Sequence, residues 1–113
     1  MIVFKDYRTS AFSIEDADTL TPLIDKEIKE YGKSEIDFSG INLHTSLFFN
    51  NAISRYILEY SPKWFDTHIS VKGLTNAGKS SYRNSYDNAV EYYYSSSEEK
   101  NLRDTIFEDF NVD

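Results

Sequence analysis

Residues 34–60 read SEIDFSGINLHTSLFFNNAISRYILEY, and they decide the fold. Glu35 to Phe38, bounded by Ser34 and by Ser39-Gly40, predicts a short buried strand. A tight polar turn follows. From Ser46 onward, Phe48, Phe49, Ala52, Ile53, Tyr56, Ile57 and Tyr60 recur at helical spacing, the clearest apolar stripe in the chain. Arg55 and Glu59 fall on the opposite face, and Ser61-Pro62 ends the helix. Thr45 and Ser46 place two hydroxyls where that helix begins. A hydroxyl there serves either as a cap or as a site where added phosphate changes the surface.

Working outward, Ile2 to Phe4 reads as a strand. Ser13 then caps a helix whose first turn carries Glu15 and Asp16. Ile14, Ala17, Leu20, Ile24, Ile28 and Tyr31 form one face of it, and Gly32 stops it. Pro22 either kinks that helix or, with Thr21 as a new cap, starts a second one. On the C-terminal side, Thr67 to Val71 alternates as a half-buried third strand would. A helix is expected from about Lys79 to Tyr94, with Tyr82, Tyr86, Ala89, Val90 and Tyr93 on one face. Ser95-Ser96-Ser97 predicts a break before an acidic last helix edged by Leu102, Ile106 and Phe110. The expected organisation is a domain over 1–94 and an acidic C-terminal helix or tail over 95–113. Strands alternating with helices give an α/β class with a small three- to four-stranded sheet. A fourth edge strand would have to come from Asp6 to Phe12 or from Lys63 to Asp66.

With 113 residues the chain can build one core. Its net charge of −7 repels phosphate backbones, so direct nucleic-acid binding is not expected. The aromatic content of 16% is far above that of a disordered acidic segment, so the chain should fold. The absence of cysteine excludes disulfides and thiol chemistry and fits a reducing cytoplasm. No apolar run approaches the roughly 18 residues of a membrane span, and no signal-peptide pattern opens the sequence. A cytoplasmic protein is the expectation.

Two segments, IDFSGINLHTSLFFNNAI and ISVKGLTNAGKSSYRNSYDNAVEYYY, resemble the bacterial STAS-like domains of unknown function, relatives of the anti-sigma-factor antagonists. They agree with that family in order and spacing over roughly residues 1–94, ending in its Asn-Ala-x-x-Tyr-Tyr pattern at Asn88 to Tyr93. The resemblance implies a STAS-like fold and a non-enzymatic regulatory or interaction module. Its implied partner is a regulator with a histidine-kinase-like ATP-binding domain. In anti-sigma-factor antagonists a serine at the start of the helix after the central strand is phosphorylated, and that position falls on Ser46. The acid usual beside it is Thr45 here, and the glycine expected soon after is Phe48.

Ser46 and Thr45 are therefore the candidate phosphoacceptors, with Asn42, His44, Phe48 and Asn50 as the surrounding partner-binding face. Trp64 and Phe65, with Tyr92 and Tyr94, are expected to form an apolar contact patch. Gly73 to Ser80 matches the G-x-x-x-x-G-K-[ST] phosphate-loop pattern, so Gly73, Gly78, Lys79 and Ser80 are candidate anion ligands. Only 33 residues follow Ser80, too few for the later acid-bearing strands a nucleotide hydrolase needs. His44 and His68, on different elements, make no metal signature, and no cofactor is expected. Two alternatives stand beside the interaction module. One is an acidic inhibitor, of the kind mobile elements or phages encode, that occupies a target's nucleic-acid site. The other is a nucleotide-binding protein using Lys79 and Ser80.

Overall fold

The computed structural model describes the backbone of residues 1–111 and the side chains of residues 1–95. Three short strands, β1 (Ile2–Val3), β2 (Ser34–Asp37) and β3 (Ile69–Lys72), form a parallel sheet in the order β1-β2-β3. Ile2 pairs with Ile36, and Ile36 with Val71. Parallel neighbours require helical crossovers. The first is α1 (Ile14–Tyr31). The second comprises α2 (Ser46–Phe49), a π-helical turn (Asn50–Ser54), α3 (Arg55–Glu59) and α4 (Pro62–His68). The long α5 (Asn76–Asn111) follows β3. Along the sheet Ser34, Ile36 and Ile69 are buried, whereas Glu35, Ser70 and Lys72 are exposed, so one face carries the core.

Several elements differ from expectation for identifiable reasons. Phe4 leaves β1 for a 3-10 turn, Phe4–Asp6, which drives its ring fully inside against Phe38 and Phe48. No fourth strand occurs among the described residues. The segment at Asp6 to Phe12 contributes only a bridge from Ala11 to His44. Lys63 to Asp66 is helical, because Ser61 accepts from Trp64 N–H and Pro62 occupies the first turn. That helix also takes Thr67 and His68, so β3 begins two residues later than the alternation predicts. Pro22 neither caps nor restarts a helix: α1 runs through it, the ring exposed on the solvent side. Ser13 and Asp16 form the capping box at its start.

Helix α5 starts at Asn76 rather than Lys79, and it crosses Ser95 to Ser97 unbroken. Three serines lower helix propensity but neither remove a backbone donor nor clash, as proline would. The edge of Leu102, Ile106 and Phe110 expected in the acidic tail lies outside the described side chains.

The stripe read from the sequence is the centre of the core. Phe48, Phe49, Ala52, Ile53, Tyr56 and Ile57 are buried, and only Tyr60 turns out to solvent. The π turn adds Ser54 to the buried set. Ser85 donates to Asn50 Oδ1 at 2.5 Å and lies 2.5 Å from Ser54 Oγ, which leaves Ser54 as the donor between the two hydroxyls. This chain fastens the helical segment to α5. Ser85→Ala should cost about 1–3 kcal/mol in urea denaturation, because Ser54 and Asn50 both lose a partner. A cost near zero would mean that the two ends re-pair or reach water.

Candidate protein-interaction site

The chain leaves β2 at Asp37, whose carboxylate accepts from Ser39 N–H at 2.9 Å. It then crosses to the segment before α1. There Ala11 N–H donates to Leu43 O and Thr45 N–H donates to Ala11 O, at 2.9 and 3.1 Å. Thr45 is the cap of α2. Its hydroxyl accepts from Phe48 N–H at 3.1 Å and donates to Phe12 O at 2.7 Å. Both functions of that hydroxyl are thus consumed inside the fold. Ser46, the first residue of α2, is half-buried, and among the described residues its side chain makes no hydrogen bond. Of the two candidate phosphoacceptors, the turn brings only Ser46 to a position where the hydroxyl is not already committed.

Of the four residues expected to surround it as a partner-binding face, Asn42 and Asn50 are exposed, His44 is half-buried and Phe48 is not at the surface. Phe48 is fully buried among Phe4, Phe38 and Phe49, because position 48 belongs to the core stripe. The His44 ring lies flat against Phe49, its centroid 5.9 Å away at 7°, and edge-on to Phe38. Asn50 is exposed but its side-chain oxygen is held by Ser85, and Asn42 is exposed. Instead, the apolar side chains left outside are Leu43, Leu47 and Phe12, each at least half exposed. Leu43 and Leu47 flank the two hydroxyls in sequence, and the hydrogen bond from Thr45 to Phe12 O brings the backbone of the third alongside the turn. The signal was available: both leucines fall off the stripe that the neighbouring aromatics define.

Among the described residues neither ring nitrogen of His44 has a hydrogen-bond partner, and both are shielded from solvent. Burial therefore holds its pKa below the ordinary value of 6.5. His68 is not in a strand. It stacks on Trp64 at 4.5 Å, and its Nδ1 lies 2.7 Å from Trp64 O. Of the expected aromatic patch, Phe65 is buried and Trp64 half-buried in α4, whereas Tyr92 and Tyr94 are exposed.

The phosphate-loop pattern has a packing explanation. Only Gly73 to Thr75 separate β3 from α5, and Asn76 and Ala77 are already helical. Gly78 N–H donates to Thr75 Oγ1, and Lys79 N–H to Thr75 O, at 3.0 and 2.8 Å. Those donors cap the helix and are not free to cradle a phosphate. Gly73, at φ 78°, abuts Ser39 and the Asp37 carboxylate, where a Cβ would collide. A Cβ on Gly78 would stand 2.9 Å from His44 Nδ1. Lys79 and Ser80 are exposed on the first turns of α5.

Because the folded pKa of His44 lies below 6.5, its contribution to stability is complete above that pH. It is lost as pH falls from 6.5 through the folded value, by up to about 1.4 kcal/mol per pH unit. Urea denaturation at neutral pH and at about pH 5.5 should show this loss, and His44→Phe should flatten it. An equal loss in His44→Phe would place the titrating group elsewhere.

A family model described as a STAS-like domain of unknown function (DUF4325) matches residues 17–79. The matched span begins in α1, contains β2, the Thr45-Ser46 turn and β3, and ends in the first turn of α5. No curated protein and no solved structure matches the chain.

Proposed function

Because the chain belongs to the family of STAS-like domains of unknown function, we propose that it is a non-enzymatic cytoplasmic regulatory module. It binds another protein through the surface around Ser46, and phosphorylation of Ser46 weakens that contact. The observation that carries this reading is the exposed apolar trio of Phe12, Leu43 and Leu47 beside an uncommitted serine hydroxyl. Apolar side chains gain about 25 cal/mol per Å² when a partner covers them. A phosphate on Ser46 would add roughly −1.5 to −2 charges among those leucines, and desolvating it in an apolar interface is costly.

Thr45 has a different role. Phosphate there would break the cap and the tie to Phe12, so it acts as scaffold rather than switch. The partner implied by the family resemblance is a regulator with a histidine-kinase-like ATP-binding domain. No helix among the described residues is long and apolar enough to cross a membrane, which is compatible with this role.

The test is a pull-down from the native host with immobilised wild type, Ser46→Ala, Ser46→Asp and Leu47→Asp chains. Wild type and Ser46→Ala should retain the same ATPase. Ser46→Asp and Leu47→Asp should lose it, an affinity loss of about tenfold or more. Equal retention by all four would remove both the surface and the switch.

A further inference from the structure

We infer that the cavity between the free edge of β3 and the first turns of α5 binds a small organic phosphate, independently of the Ser46 surface. The cavity measures ≈ 480 Å³, within the range of small-molecule sites. Its apolar wall is Val71, Leu74 and Tyr82, and its cations are Lys72, Lys79 and Arg83. Among the described residues no carboxylate lines it, although the whole chain carries a net charge of −7. Three of the 12 basic residues therefore line one cavity in a protein where acids prevail.

Two of those cations have neighbours outside the cavity. Lys72 lies 3.3 Å from Glu35, and Arg83 lies 3.8 Å from Asp87. In both pairs the side chains are about half exposed or more, and such pairs are too weak to hold a cation away from a ligand. Lys79 forms no ion pair among the described residues and is one helical turn from Arg83. A dianionic head can take Arg83 through paired N–H donors and Lys79 as a point charge. An apolar body then covers Leu74 and the Tyr82 ring. Since the backbone N–H groups of Gly78 and Lys79 are spent on Thr75, the anion is held by side chains, and no phosphate-loop chemistry is involved.

The full chain is titrated with AMP, phenyl phosphate, adenosine and inorganic phosphate, following amide NMR shifts. Saturable shifts confined to residues 71–84 are expected for the two organic phosphates. Adenosine and inorganic phosphate should bind at least about tenfold more weakly, since each lacks half of the recognised chemistry. Lys79→Ala with Arg83→Ala should weaken AMP by at least about tenfold, and Lys63→Ala, an exposed cation on α4, should not. The proposal is overturned if neither organic phosphate saturates by about 10 mM. It is equally overturned if Lys63→Ala weakens binding as much as the cavity variants, or if the shifts lie elsewhere. None of these outcomes bears on Ser46.

Discussion

The Thr45 hydroxyl is the contact on which the rest of this structure depends. It accepts from Phe48 N–H, which starts the helix, and donates to Phe12 O, which fixes where that helix starts relative to the segment before α1. Helical geometry then determines the rest. With the start fixed, positions 48, 49, 52, 53, 56 and 57 turn inward, position 47 stays exposed and position 46 half-buried. A cap of this kind is worth about 1 kcal/mol. Its larger consequence is registry, since a shifted start would turn different side chains of α2 toward the core.

The turn is held from beneath by an apolar stack. The His44 ring lies on Phe49, Phe49 meets Tyr82 edge-on, and the absent side chain of Gly78 lets α5 approach that ring. A histidine in this setting behaves as an aromatic spacer, with no hydrogen-bond partner for either nitrogen among the described residues. Tyr82 is also a wall of the cavity beside β3, so the Ser46 turn and that cavity share one layer of packed rings. Close-packed rings leave little slack, so the backbone of the turn is held in one place.

What was legible in the sequence followed from periodicity. The stripe after Ser46, the Ser13 cap, the Gly32 stop and the α/β class all rest on local patterns that tertiary contacts reinforce, whereas the parallel pairing of the strands was not read from them. The failures fall where a second local rule competed. Ser61-Pro62 reads as a helix end, and it is also a cap and first turn, so a helix took Lys63 to Asp66 and the first residues expected of β3. Phe48 lies next to the two hydroxyls in sequence and so reads as partner surface, whereas the apolar stripe already requires its burial. The phosphate-loop pattern shows the same lesson in reverse. Its two glycines are where side chains of β2's trailing turn and of His44 leave no room for a Cβ, a requirement invisible without the neighbours. The Asn50–Ser85–Ser54 chain was equally hidden, though a serine at position 85 within an aromatic stripe is a polar residue in a core register.

Which hydroxyl is chemically available decides whether this turn can act as a switch. The most direct measurement is mass-spectrometric mapping of phosphate on the chain after incubation with ATP and an extract of its native host. Phosphate on Ser46, with Thr45 unmodified, is the predicted result. Phosphate on Thr45, or on neither residue, would contradict the claim that this turn is a switch built around one free serine.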